Sequence, residues 1–155
     1  MAGYSNQKVF ILYEDEHLLV VKKPFGMESQ RGKSFAMDQE SLLRGYLSSK
    51  TKTDNPYLAV VHRLDRPVAG VMVYAKTKKA AADLSAQLQT ENFSKKYEAV
   101  VSGIVPACEG RLEDYLTADK RTGTTSVSSK ADPLAKKAVL TWKEIAREEV
   151  KSGEI

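Results

Sequence analysis

Residues 58–90 read LAVVHRLDRPVAGVMVYAKTKKAAADLSAQLQT, and their order of apolar run, polar loop, apolar run and amphipathic stretch decides the fold class. Leu58–Val61 and Val71–Ala75 are too short for helices and rich in Val, so both are expected as strands flanking the loop HRLDRPVAG. Thr77 is placed to cap a helix over residues 78–90. In that helix Ala81, Leu84 and Leu88 share a face, while Lys78, Asp83 and Gln87 point away from it.

Further short apolar runs lie toward the N-terminus, with no internal repeat. Residues 8–13 and 18–22 are apolar runs parted by Glu14-Asp15-Glu16-His17, which predicts two strands joined by a tight turn. Lys23-Pro24-Phe25-Gly26 ends the second, because proline donates nothing to a ladder and glycine permits a sharp bend. Asp38 can cap a short helix over residues 39–48, with Leu42, Leu43, Tyr46 and Leu47 on one face. Toward the C-terminus, residues 95–102 alternate, placing Tyr97, Ala99 and Val101 on one side of an expected strand. Arg111 to Thr117 is a further strand. Residues 118–133, rich in Ser, Thr, Lys and Gly, are expected as a mobile loop. Lys137 to Ile145 is a last strand carrying Ala138, Leu140 and Trp142 on one face. The order β-β-α-β-β-α-β-β-β does not alternate as a parallel sheet requires, so the class is α+β, with a mixed, largely antiparallel sheet flanked by helices. Lys151-Ser152-Gly153 resembles a hairpin turn followed only by Glu154 and Ile155, so a partner strand is expected to begin near Glu154 and the chain to be cut inside a fold.

A length of 155 residues predicts one domain. Such a domain buries roughly 70% of its unfolded surface and needs neither disulfide nor structural metal to fold. The single cysteine, Cys108, excludes an internal disulfide framework and a multi-cysteine zinc site. Only two histidines are present, His17 and His62, far apart in the chain, so no His/Cys metal centre is expected. No apolar run approaches the roughly 20 residues of a membrane span, and Met1 to Lys8 is polar, unlike a signal peptide. The expected compartment is the cytoplasm, with no membrane partner. The net charge of +4 is unevenly spread. Residues 50–103 carry nine basic groups against five acidic, whereas the two flanking thirds are balanced. A local basic excess is the footprint of a polyanion partner such as nucleic acid; the alternative is a solvated lysine-rich face.

The densest cluster of functional side chains is His62-Arg63-Leu64-Asp65-Arg66, where a strand gives way to a loop. If the chain stays extended there, Arg63 and Asp65 lie on one side and His62 and Leu64 on the other. Two arginine charges beside an aspartate suit an anionic nucleophile and not a general acid. The competing reading is an arginine–aspartate salt bridge that braces the turn. His17 reads as surface, Cys108 as a small buried hydrophobe, and Tyr97 by position as a core or interface residue. No phosphate-binding glycine loop and no carboxylate pair spaced for hydrolysis occur, which disfavours nucleotide- or metal-dependent chemistry.

VHRLDRPVAGVMVYAKTKKAAADLSAQL closely resembles the motif region of the RluA-type pseudouridine synthases: HRLD, four variable residues, Gly, an apolar strand, Ala-Lys-Thr, then a helix. EDEHLLVVKKPFGM resembles the family's opening hairpin, and SKKYEAVVSG its K-x-Y-x-A-x-x-x-G strand. The three blocks keep family order across residues 8–103. The resemblance implies the pseudouridine synthase catalytic fold and isomerisation of uridine in ribosomal or transfer RNA, without metal, nucleotide or redox cofactor and with no DNA partner. By the same resemblance Asp65 is the nucleophile and Arg63 enters the RNA where the target base has left. Tyr97 packs against that base, and His62 helps to hold the loop. Lys23-Pro24 belongs to a motif that shapes the site and is assigned no chemistry.

Two departures accompany the match. Ala69 stands where the family usually has Ser. Family members continue into a T-G-R-x-H-Q-I-R segment whose arginine pairs with the catalytic aspartate, and nothing like it occurs before Ile155. The chain is therefore expected to be a single catalytic domain over residues 1–155, truncated at its C-terminus, with no S4 domain. The competing expectation is an inactive or incomplete RNA-binding module of the same fold.

Overall fold

The computed structural model describes residues 9–32, 36–90, 93–119 and 121–148. They fall into two compact units, Met1–Tyr97 and Glu98–Ile155. The expected turn at 151–153 and the strand near Glu154 lie outside the described residues.

In the first unit, β1 (Phe10–Glu14), β2 (Leu18–Lys23), β3 (Ala59–Val60) and β4 (Gly70–Ala75) form one sheet in the order β1-β2-β4-β3, every pair antiparallel. Asp15 makes the first hairpin tight, since its carboxylate accepts the amides of His17 and Leu18 at 2.7 and 2.6 Å. Side chains alternate across a strand, so β2 turns Leu19 and Val21 to one face, and register sets them opposite Tyr74 and Met72 of β4. All four are buried.

That face is covered by α1 (Gln39–Thr51), whose Leu43 and Leu47 stand one turn apart and join the same cluster with Leu58. Each such side chain contributes about 1.5–3 kcal/mol on burial. Asp38 caps α1 as expected, accepting the Ser41 amide at 2.9 Å. The helix runs past the expected end at residue 48 to a left-handed Lys52. The second helix, α2 (Lys78–Gln87), is capped by Thr77 through the Ala80 amide and packs against β3 and β4. Its face of Ala81, Leu84 and Leu88 is half-buried, and it stops at Gln87, short of residue 90.

The second unit holds β5 (Glu109–Asp119), β6 (Thr124–Ser128) and β7 (Lys136–Lys143), antiparallel in the order β6-β5-β7. Gly110 lies opposite Trp142, and a methyl group at Gly110 would come within 2.7 Å of the indole Nε1. The α+β class with antiparallel pairing holds, but one strand changes place. Residues 95–102 form no strand; they are irregular and exposed, Val100 and Val101 included. Alternation sets a face, but among the described residues no neighbouring ladder takes their backbone groups. Instead a strand arises inside the expected loop 118–133. Asp119 accepts the amides of Arg121 and Thr122, Gly123 takes a φ of 73°, and the chain returns along β5 as β6. With Val127 its one apolar residue, β6 carries no hydrophobic period.

Candidate active site

The loop between β3 and β4 keeps the expected alternation. His62 and Leu64 are half-buried, whereas Arg63, Asp65 and Arg66 are exposed. Leu64 packs against the core cluster. His62 turns inward too, where its Nε2 accepts the amide of Val73 at 3.0 Å. Burial, and then the charge of Lys95, hold its pKa below the ordinary histidine value. The loop closes in a turn from the Val68 amide to the Asp65 carbonyl, 2.9 Å.

The salt bridge proposed as the competing reading does not form: among the described residues neither Arg63 nor Arg66 makes an ion pair with Asp65. Arg66 braces the turn differently. Its Nε donates to the Gly26 carbonyl at 3.0 Å, and the Gly26 amide returns a bond to the Arg66 carbonyl at 2.9 Å. Gly26 has a φ of 79°, a conformation open to glycine at no steric cost.

Beneath this turn lies Lys23, 0% exposed. Its ammonium donates to the carbonyls of Met27 (2.6 Å), Pro24 (3.2 Å) and Arg66 (3.4 Å). Burial holds its pKa below the ordinary lysine value, and the Asp65 carboxylate offsets part of that. The sequence motif marks Lys23 as a shaping residue; the structure shows what it shapes.

An open cleft of about 330 Å³ is lined by Arg63, Asp65 and Arg66 of this loop and by Glu28, Gln30 and Arg31 of the segment after Gly26. Neither Gln30 nor Arg31 was singled out by sequence; their only signal is position, four and five residues beyond the Gly26 bend. Three arginines among two carboxylates, Asp65 and Glu28, suit a substrate that combines phosphate with hydrogen-bonding groups, such as a nucleotide in RNA. Tyr97 does not line this cleft among the described residues; it is 63% exposed. Cys108 is exposed, not buried as expected. Among the described residues no group of three His, Cys, Asp or Glu could hold a metal ion, and no helix is long and apolar enough to cross a membrane.

Residues 17–153 match the family model described as RNA pseudouridylate synthase. The chain is 41% identical over 96 residues to ribosomal large subunit pseudouridine synthase D of Pseudomonas aeruginosa, covering 61% of this chain and 29% of the relative. It is 31% identical over 140 residues to tRNA pseudouridine synthase C of Yersinia pestis, covering 90% and 52%. The solved structure of human RNA pseudouridylate synthase domain containing 4 superposes with a TM-score of 0.67 at 24% identity, covering 84% of this chain and 51% of that one. The chain thus spans about half or less of the length of these relatives.

Proposed function

Since the chain belongs to the RNA pseudouridylate synthase family, we propose that it isomerises specific uridines of ribosomal or transfer RNA to pseudouridine, with Asp65 as nucleophile. The observation that carries this reading is the exposed Asp65 carboxylate at the arginine-rich cleft, on a loop whose backbone is tied on both sides to residues 23–29. The relatives named for ribosomal and transfer RNA support the substrate class.

Uridine must leave its stack to reach such a cleft, at a cost of a few kcal/mol that contacts of arginine to the phosphates offset. In our reading Arg63 fills the space the base vacates, and Tyr97 packs against the flipped uracil. His62 holds the loop from behind, by the bond to Val73. The N1–C1′ bond breaks, the uracil turns, C5 joins C1′, and the C5 hydrogen leaves as a proton while N1 gains one. Substrate and product are isomers, so the balance calls for no co-substrate, and we assign no cofactor. Residues 1–155 are read as part of a catalytic domain, and we place the protein in the cytoplasm.

The test is tritium release from RNA carrying 5-tritiated uridine. Release by the wild-type chain and none by Asp65→Asn is expected. Equal release by both, or salt-sensitive RNA binding without any release, overturns the proposal.

A further inference from the structure

Ser29 is a buried residue in the wall of the cleft, and its hydroxyl is spent on a single neighbour. It donates to the carbonyl of Leu64 at 2.5 Å and accepts from the amide of the same residue at 3.0 Å. The backbone of Ser29 is itself anchored, since its carbonyl accepts the hydroxyl of the buried Tyr74 at 3.1 Å. Leu64 immediately precedes Asp65 and lies between the end of β3 at Val60 and the start of β4 at Gly70, outside either ladder. A side-chain hydroxyl therefore does there what a neighbouring strand does elsewhere: it satisfies both polar groups of one peptide residue.

The other side of Asp65 is held by a different pair. Arg66 exchanges two bonds with Gly26, and the buried Lys23 adds a third. Asp65 thus projects from a backbone fixed at both neighbours, while its own side chain makes no ion pair among the described residues. Fixing the two flanking residues is what restricts the direction of an otherwise unbraced carboxylate.

We infer that Ser29 is a positioning residue for Asp65, clamping Leu64 so that the carboxylate is aimed into the cleft before RNA arrives. The inference rests on the reading of Asp65 as nucleophile. With Leu64 released, the Leu64–Asp65 peptide can swing, and a displacement of about 1 Å at a reacting atom is enough to cost on the order of a hundredfold in rate. RNA affinity, set by phosphate contacts elsewhere, has no reason to follow.

The experiment compares wild type, Ser29→Ala, Ser29→Thr and Asp65→Asn for tritium release from 5-tritiated uridine in RNA, and follows hydrogen exchange at the Leu64 amide. Ser29→Ala should lower kcat by about tenfold to a hundredfold with KM within about twofold. Its Leu64 amide should exchange at least about tenfold faster, while amides of β2 and β4 keep their protection. Ser29→Thr, which keeps the hydroxyl, should restore most of the rate. A Ser29→Ala chain with wild-type kcat beside an inactive Asp65→Asn overturns the positioning role. So does a loss of rate matched by an equal loss of protection throughout the core. No release even by wild type overturns the nucleophile reading and the catalytic half of this inference, and the Leu64 exchange rate still decides the clamp.

Discussion

The imidazole Nε2 of His62 accepts the amide hydrogen of Val73 at 3.0 Å, just where the β3–β4 ladder stops at Val60 and Tyr74. The histidine side chain supplies the next rung that the backbone does not. An Nε2 that accepts is unprotonated, so the ring is neutral and carries its proton on Nδ1.

The first prediction follows from this bond. Burial and Lys95 depress the folded-state pKa of His62, so as pH falls below about 6.5 the unfolded chain takes up the proton first. The contribution is present above that pH and is lost as pH falls toward the folded value. Urea midpoints at pH 7.5 and 5.5 should show wild type losing stability on acidification and His62→Gln losing less. At pH 7.5 the variant should be weaker by about 1 kcal/mol, the worth of one hydrogen bond.

Asp65 and Arg63 should separate chemistry from affinity. Asp65→Asn should lower turnover by at least about a thousandfold, since it removes the proposed nucleophile. Arg63→Ala should reduce kcat by about tenfold or more and leave non-specific RNA binding within about threefold, whereas Lys78→Ala or Lys95→Ala should weaken binding and flatten its salt dependence. Equal loss of rate and affinity in Arg63→Ala would place Arg63 among the general phosphate contacts.

Glu14, at the end of β1, is tied to α1 and to the residue that follows β4. Its carboxylate accepts Lys50 Nζ at 2.8 Å, Lys76 Nζ at 2.7 Å and the Tyr46 hydroxyl at 2.8 Å. Burial alone would raise its pKa, but the bonds from Lys50, Lys76 and Tyr46 together with the Lys76 charge hold it at about 2. A lowered carboxylate pKa gives stability that is present above about pH 4.5 and is lost as pH falls toward 2. Glu14→Gln should cost about 1–3 kcal/mol at pH 7 and remove part of the acid limb, measured by chemical denaturation across that range. An unchanged acid limb would show the network to be energetically idle.

Gly110 and Trp142 make the second unit testable by itself. An alanine methyl at 110 would meet the indole at 2.7 Å, so the ring must shift or the strands part. Gly110→Ala should destabilise this sheet by about 1–3 kcal/mol. Trp142 is the single tryptophan, so its emission should move in the same variant. An unaltered spectrum and midpoint would mean that the β5–β7 register differs from Gly110 opposite Trp142.

What could be read from the chain was chemistry acting over three or four residues. Asp15 closes its turn, and Asp38 and Thr77 cap their helices, through side-chain acceptors whose partners are neighbours in sequence. The two-residue period through His62 and Asp65 was legible for the same reason, because alternation is a property of the extended chain. The motif blocks then carried the family. They carried no account of the lysine before Pro24, whose role is electrostatic and depends on Arg66 and Asp65 some forty residues away.

Tertiary structure decided the rest, and for one physical reason: a backbone or buried polar group must find a partner, and that partner need not be near in sequence. Residues 95–102 have the better strand pattern but no ladder among the described residues, whereas 124–128 have almost no pattern and a partner in β5. Ser29 shows no signal in a loop of polar residues until folding sets it against Leu64. The sequence alone determined the short-range features and the motif that nominates Asp65 and Arg63. Only the fold decided which way they face, because the bonds that aim Asp65 run from residues 23–29 across to 64–66.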